Sequence, residues 1–470
     1  MRTGRGLKRL LLTMLIYVFQ ASSAFGGGES ADRLTLFQAV SLARTNNSQI
    51  REAQARSLAA VEALRSSRAD LLPKASAAYG YARLKETPFM YFTRTTVAPH
   101  PAVAPYYVVA GSERIQAATG PRDNFHWEAS LTQPLFTGFA LITRVKMAQL
   151  GVALGDVAQQ QAVADVVKQT KFAFFDVLMA GRYLETARSA QDTLQAHVHD
   201  ATGFYDQGLI PYNDLLQSQV ALAEAVQQRT RAEAGVEIAV AALNTVIGFD
   251  LQRPTVVVSV EDLPGIPSDL AVLLDLAEAQ RPELRYLDLS LARLEAGARL
   301  AASAYYPRLA LVGRYEQDGE NWQATRNEFR NRHNTTVALQ GEWTFFEWGK
   351  TRAEVAGLRR EYEALAAKAQ GVRDSIRLEV NNARLSLTVA LANVQTAQAA
   401  FVQAAENLRI NRLRYQQQVA TSTEVLDATV AHSRAATNFH VARYDALKAE
   451  AELERAMGVT DATSDRKEGS

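Results

Sequence analysis

The chain is a tandem duplication, and this feature restricts its possible folds more than any other. Residues 71–75 (LLPKA) and 305–309 (YYPRL) align on their prolines with an offset of 234 residues. Three later pairs of segments share an offset of 210 residues: 136–138 with 346–348, 205–209 with 415–419, and 246–248 with 456–458. The first copy therefore carries 24 additional residues between Pro73 and Phe136. Duplication at this scale favours a quasi-symmetric ring or tube over a single catalytic pocket.

Residues 1–24 have the pattern of a secretory signal peptide. Four cations in the first ten residues precede an apolar run at 10–19 and small residues at 21–24, and we expect cleavage after Ala24. The chain holds 51 Lys and Arg against 50 Asp and Glu, so it has no bulk field to attract nucleic acid. It has no cysteine, which leaves no disulfide and no thiolate metal ligand. These features predict an exported protein of a bacterial envelope.

The repeats are predicted to be mainly helical. The first spans residues 34–248 and the second 270–458, joined by a proline-bearing linker at 249–269 and followed by a polar tail at 459–470. A helix is predicted at 36–70. Proline-free patterns at about 139–204 and 349–415 predict two helices, each roughly 90–100 Å long. Return helices are predicted at 211–247 and 421–457, after breaks that contain Gly208 and Pro211 or Gln418.

The second long helix carries a coiled-coil seam. Its apolar and small positions alternate spacings of three and four over five heptads. They are Val380, Ala383, Leu387, Ala390, Val394, Ala397, Phe401, Ala404, Leu408, Asn411 and Tyr415. The first repeat preserves this seam 210 residues earlier, with Leu194, Val198 and Ala201 near its end. A simple coiled-coil dimer is the alternative, but it does not account for the segments between the helices.

Four strands are predicted between the helices, at about 74–84, 125–136, 308–317 and 334–346. Their residues alternate, and the apolar face is rich in aromatic side chains, as in a lipid-facing, water-lined barrel. A soluble sheet packed on a core is the alternative. Four strands cannot close a barrel, and lipid does not tolerate an open edge, so two or three copies would have to combine. Residues 84–124 are predicted to be a surface loop.

The order of these elements resembles the TolC-type outer-membrane efflux proteins. The matching motifs are 72–74 (LPK), 133–138 (QPLFTG), Tyr205 with 208–209 (GL), Tyr415 and 424–428 (EVLDA). The resemblance covers about residues 34–458. It implies a homotrimer in which a 12-stranded β-barrel in outer-membrane lipid stands on a long α-helical periplasmic barrel. It also implies docking to a periplasmic adaptor (membrane fusion) protein and to an inner-membrane RND or ABC exporter, in efflux or type I secretion.

The resemblance also implies a periplasmic gate. The matching positions are Asp214, Tyr415, Glu424 and Asp427. Because Glu424 and Asp427 are three apart on one helix face, threefold symmetry would bring six carboxylates near the axis, where repulsion favours cation binding. An arginine that links neighbouring helices in such gates is replaced by Ala420, so closure is expected to use Tyr415 or another cation. The alternative is that these acids are solvated surface residues.

The two tips are predicted to dock the adaptor, since apolar residues at a turn are a typical partner surface. They comprise Gly208, Leu209, Ile210 and Pro211 in the first repeat, and Val419, Ala420 and Thr421 in the second. The alternative, internal packing of the turn, suits Ile210 better than Leu209.

We predict no enzyme, no cofactor and no metal site. Residues 348–351 (WGKT) resemble the end of a phosphate-binding loop, but Thr344 stands where that loop needs glycine. His197 and His199 point to different helix faces, and no nucleophile elbow is present. The predicted function is therefore a passive export conduit. A soluble periplasmic coiled-coil adaptor or scaffold is the alternative, and the sequence does not identify the exported substrate.

Overall fold

The computed structural model describes residues 33–329, 331 and 333–459. The predicted signal peptide and residues 460–470 of the predicted tail lie outside them. The described chain divides into two compact units. The helical unit comprises residues 33–52, 161–281 and 375–459, and the sheet unit comprises residues 53–160 and 282–374.

Corresponding helices of the two repeats agree in length to within one residue. In the first repeat they are α1 (Leu36–Asn46), α2 (Ser48–Ala69), α3 (Ala140–Asp206) and α4 (Tyr212–Ile247). In the second they are α5 (Leu270–Gln280), α6 (Pro282–Ala302), α7 (Lys350–Gln416) and α8 (Ser422–Met457). The long helices α3 and α7 both have 67 residues, and the return helices α4 and α8 both have 36. The duplication seen in the sequence is therefore present in the structure.

The predicted single helix at 36–70 is wrong, because the chain breaks at Asn47. The Asn47 side chain accepts a hydrogen bond from the backbone N–H of Gln49 (2.8 Å) and donates one to the carbonyl of Val246 (2.8 Å). The second repeat breaks at the matching place, where Arg281 precedes Pro282 and a proline disfavours helix in the residue before it. The Arg281 guanidinium donates to the carbonyl of Ala456 at 2.7 Å.

The core of the helical unit lies between α1, α3, α4 and α8. Its largest fully buried side chains are Phe174, Leu243, Ile247, Tyr444 and Leu447. Two short parallel strands, β1 (Arg33–Leu34) and β6 (Val256–Val257), pair beside this core. Ion pairs then join α3 to α8. They are Lys168–Glu452, Lys171–Glu454, Asp176–Lys448 and Asp165–Arg455.

Helix α7 contains an 18-residue stretch that is apolar enough to cross a membrane by length and composition alone. Some small and apolar residues of α7 pack against a neighbouring helix. Ala390 and Val394 pack with Ala442 and Ala446 of α8 in a buried cluster. Small residues at such positions let two helices approach closely. Only part of the apolar surface of α7 therefore lies in a helix–helix seam.

The sheet unit holds a four-stranded antiparallel sheet in the order β2-β5-β7-β8. Its strands are β2 (Lys74–Arg83), β5 (Asp123–Phe136), β7 (Arg308–Gly319) and β8 (His333–Glu342). The register places Tyr79 beside Trp127 and Leu311 beside Leu339, so the aromatic and aliphatic residues share one face. Within the described residues, neither β2 nor β8 has a partner strand on its outer edge.

The predicted surface loop at 84–124 is wrong for most of its length. Strands β3 (Phe89–Pro99) and β4 (Tyr107–Ala118) form an antiparallel hairpin there. The backbone bonds Leu84 N–H to Arg122 O and Thr119 N–H to Pro88 O, both 2.8 Å, continue the β2–β5 pairing into this hairpin. Aromatic and β-branched residues at 89–92 and 106–109 favour strands, although the local abundance of Pro, Tyr and Thr suggested a loop.

Candidate gate and docking site at the helical tips

Each long helix ends in the same type of turn. Gly208 has φ +73° and Gln418 has φ +62°. In both turns the next residue donates a backbone hydrogen bond of 2.8 Å five residues back, Leu209 to Phe204 and Val419 to Arg414. This pattern ends a helix with one left-handed residue. The second repeat holds that conformation with a glutamine, at a cost of about 1–2 kcal/mol relative to glycine.

The two return helices begin differently. Pro211 stands before α4 and provides no side-chain cap. Before α8, the backbone N–H of Glu424 donates to the hydroxyl of Thr421, and the Glu424 carboxylate accepts from the N–H of Thr421, both at 3.3 Å. This reciprocal capping box stabilises the start of a helix. Glu424, predicted to be a gate acid, is therefore also part of a cap.

The tips expose apolar side chains. Leu209 is 49% exposed and Val419 is 64% exposed, whereas Ile210 and Ala420 are half-buried. The other predicted docking residues, Gly208, Pro211 and Thr421, are exposed. Each turn thus presents one large apolar side chain to its surroundings, in a position where a partner can cover it.

Tyr415, a predicted gate residue, is buried in the helical unit. Only 3% of it is exposed, and its ring packs against His197 (4.6 Å between centroids) and Phe204 (5.5 Å). Burial raises the pKa of the Tyr415 phenol, and the negative charges of Asp214 and Asp200 raise it further. Its hydroxyl faces Ser422 but has no partner with hydrogen-bond geometry among the described residues. Tyr415 and Asp214 are therefore electrostatic neighbours without a hydrogen bond.

A cation other than residue 420 reaches the predicted acidic pair. Glu424 and Asp427 are both exposed. The Arg414 guanidinium lies 3.5 Å from the Glu424 carboxylate and donates to the carbonyl of Val419 at 3.4 Å. Arg414 thus spans the second turn from α7 to α8 and partly offsets the negative charge beside Ala420.

A buried polar cluster behind the turns was not predicted from the sequence. Its four residues come from four different helices, and we call them the tip cluster. They are His197 of α3, Ser218 of α4, Tyr415 of α7 and Ser422 of α8. The His197 Nε2 lies 2.8 Å from the Ser422 hydroxyl, which lies 3.0 Å from the Ser218 hydroxyl. Ser218 in turn donates to the carbonyl of Asp214 at 2.9 Å.

The helical spacing around His197 predicts that its side chain is buried, although its spacing to His199 does not predict a metal site. Leu194, His197 and Ala201 are separated by three and four residues, and all three are buried. Val198, which the predicted seam contained, is only half-buried. Burial lowers the pKa of His197 to about 4. The negative charge of Asp200 raises this pKa, and the positive charge of Arg412 lowers it. The imidazole is therefore neutral at physiological pH.

The sequence profile of one family, described as "Outer membrane efflux protein", matches residues 39–249 and again residues 273–459. The chain belongs to this family. The two matches fall on the two repeats. Membership makes the chain an outer membrane efflux protein, with its helices in the periplasm, and not a soluble adaptor or scaffold.

Known relatives of this efflux protein agree with that assignment. Outer membrane protein TolC of Vibrio cholerae is 21% identical over 418 residues, which cover 88% of this chain and 89% of that protein. The CmeC outer membrane channel of Campylobacter jejuni has a TM-score of 0.73 at 17% identity, over 90% of this chain and 85% of that one. The MtrE outer membrane channel of Neisseria gonorrhoeae, solved in an open state, has a TM-score of 0.69 at 17% identity, over 90% of this chain and 89% of that one.

Proposed function

We propose that three copies of this efflux protein form the exit duct of a tripartite export system. The duct passively conducts substrates that an inner-membrane exporter and a periplasmic adaptor deliver. The observation that carries this proposal is the open four-stranded sheet, in which the outer edges of β2 and β8 have no partner strand in the part of the chain that the structure describes. Such edges are not tolerated in lipid, so the edge strands of neighbouring copies must pair with each other through backbone hydrogen bonds.

The strand directions allow closure with copies of the same chain. Because every neighbouring pair in the sheet is antiparallel, β2 and β8 run in opposite directions. The β8 of one copy can therefore pair antiparallel with the β2 of the next, and three copies would give 12 strands. An even number of antiparallel strands is the rule for bacterial outer-membrane barrels.

The two faces of the sheet support a barrel with lipid outside and water inside. One face carries exposed Tyr79, Tyr81, Trp127, Leu339 and Val337. The opposite face carries a Ser76–Ser130 hydroxyl contact of 2.8 Å and an Arg314–Glu128 ion pair of 3.4 Å. An apolar, aromatic face suits outer-membrane lipid, and a polar face suits a water-filled lumen.

The gate of this duct is assigned to the tips. Asp214, Glu424 and Asp427 would supply the acidic ring, and Tyr415 would fix the packing of the helices behind it. Arg414 takes the place of the missing arginine at position 420 as the cation beside the ring. Mutual repulsion among the carboxylates of three copies would attract cations to this end of the duct.

Docking of the adaptor is assigned to the exposed apolar residues of the two turns, Leu209 and Val419. Energy would come from the partner, either a proton-driven RND exporter or an ABC exporter of the type I secretion kind. The adaptor's contact with both turns would place the end of the pump against the gate.

Membrane fractionation with electrophoresis at low temperature tests the assembly. The proposal predicts a heat-dissociable trimer in the outer-membrane fraction. Replacing Ala78 of edge strand β2 with proline removes a ladder N–H and is expected to abolish the trimer. Proline at Ala102 in the β3–β4 turn is the matched control and should leave the trimer intact. A soluble monomer in the periplasmic fraction would contradict the proposal.

A further inference from the structure

The tip cluster joins the two hairpins of the helical unit. One hairpin consists of α3 and α4, and the other of α7 and α8. Ser422 of the second hairpin makes side-chain contacts with both helices of the first, through His197 and Ser218. His197, Ser218 and Ser422 are 4%, 0% and 1% exposed. If the hairpins separated, both contacts would break and the cluster would meet water.

Hydrogen-bond accounting fixes the proton positions in this cluster. Ser218 has one hydroxyl proton and gives it to the carbonyl of Asp214. Ser422 must therefore be the donor to Ser218, which leaves His197 Nε2–H as the donor to Ser422. The donors run in one direction from His197 to the backbone of the gate acid Asp214. The second ring nitrogen, Nδ1, is then the unprotonated one, and it accepts no hydrogen bond among the described residues.

Each of the four helices of the tip cluster carries an ionisable group near His197. Arg412 of α7 disfavours a second positive charge, and Asp200 of its own helix favours one. Tyr415 of α7 covers the ring without a charge at neutral pH. On α4 the ionisable group next to the cluster is Asp214, and on the first turn of α8 it is Glu424. No carboxylate is hydrogen-bonded to the ring among the described residues, so a second proton on the buried imidazole would gain no hydrogen-bonded anion there.

We propose that His197 is the positioning residue of the tip gate: its neutral ring holds Ser422 and Tyr415 against the α3–α4 hairpin, and its protonation separates the hairpins. This inference rests on the proposed duct function. It makes the gate responsive to acid. Because Ala420 provides no cation to close the gate, a buried neutral histidine contributes to the closure instead.

Proton linkage gives the size of the expected effect. The pKa of His197 is about 4 in the packed tip against an ordinary value of 6.5. Because the packed form binds fewer protons, it loses stability relative to the separated form as pH falls below 6.5. Between pH 7 and pH 5 the opening equilibrium is expected to shift about 20-fold toward the open form.

Single-channel recording of the full-length protein in planar bilayers tests the proposal. Wild-type channels should open about 20-fold more often at pH 5 than at pH 7. His197→Gln keeps an N–H for Ser422 but cannot take a proton, so it should stay closed at both values. His199→Gln changes the same residue type at an exposed position two residues away, and it should behave as wild type.

A second variant covers the case in which His197→Gln does not assemble. Ser422→Ala removes the hydroxyl between the hairpins, and it should raise opening at pH 7 and flatten the response to acid. A wild-type acid response that survives in His197→Gln, or in Ser422→Ala, would overturn the role of His197 while leaving the duct in place. Wild-type channels that ignore acid between pH 7 and pH 5 would do the same. A protein that forms no pore in any condition would overturn both the duct and the gate.

Discussion

The guanidinium of Arg414 and the carboxylate of Glu424 form an ion pair of 3.5 Å across the second tip turn. This pair connects the last turn of α7 to the first turn of α8. It places a positive charge inside the set of acids that the proposed gate contains. Both side chains are about half exposed, so the pair contributes at most about 1 kcal/mol to stability. Its main expected effect is on the local potential.

Removing this cation should make the duct more selective for cations. In Arg414→Gln, Glu424 loses its partner, and three copies would gain unpaired negative charge at the tips. We expect a larger reversal potential under a KCl gradient, with the difference reduced at high salt by screening. Arg409→Gln is the control, because Arg409 pairs with Glu406 on the same helix at 2.7 Å. Equal selectivity of the two variants would contradict this role of Arg414.

The buried ion pair between Lys171 and Glu454 should be essential to the packing of α3 against α8. Their side chains are 6% and 15% exposed. Lys171→Ala leaves a buried carboxylate unpaired, which costs about 3–5 kcal/mol. We therefore expect a marked loss of thermal stability in detergent, which circular dichroism would measure.

The control for this experiment is the pair Arg360–Glu363, whose side chains are 80% and 60% exposed. Arg360→Ala should change stability by about 0.5 kcal/mol or less. The double variant Lys171→Met with Glu454→Met should recover most of the loss, because it leaves no buried charge. Similar melting curves for Lys171→Ala and Arg360→Ala would show that the Lys171–Glu454 pair does not stabilise the packing of α3 against α8.

Two glycines with the same backbone conformation should respond differently to alanine. Gly248 ends α4 with φ +76°, and an added Cβ would lie 2.7 Å from the Cβ of Asn46. Gly208 has φ +73°, and an added Cβ meets nothing within 4 Å. Gly208→Ala should therefore cost only the left-handed conformation, about 1–2 kcal/mol. Gly248→Ala should cost more, because Asn46 must also move. Equal denaturation midpoints for the two variants would contradict this account.

The helices were predictable because their sequence cues are local and repeated. Absence of proline and a three–four seam placed the long helices at about 139–204 and 349–415, close to Ala140–Asp206 and Lys350–Gln416. The strands began within about two residues of their predicted starts. The fourth ended early, at Glu342 instead of residue 346. The alternation continues through Trp343, but that side chain donates to the carbonyl of Tyr305 (3.2 Å) outside the ladder.

The features that were missed depend on contacts distant in sequence. The break at Asn47 is fixed by Val246, which lies 199 residues away. The burial of His197 is fixed by Ser422, 225 residues away. The β3–β4 hairpin was missed for a different reason, since the prolines and polar residues within and around its two strands are typical of a loop. Local pattern thus located the tips, whereas only the packed helices revealed the tip cluster.

In the proposed assembly, this efflux protein is a duct that an adaptor engages through its tips. Photo-crosslinking in living cells, with a photoreactive amino acid at Leu209, tests it most directly when captured proteins are identified by mass spectrometry. Ile238, an exposed apolar residue of α4, is the control position. We expect Leu209 to capture a periplasmic adaptor whose exporter co-purifies, and we expect no such capture at Ile238. Capture of nothing at Leu209, or of copies of this chain alone, would contradict it.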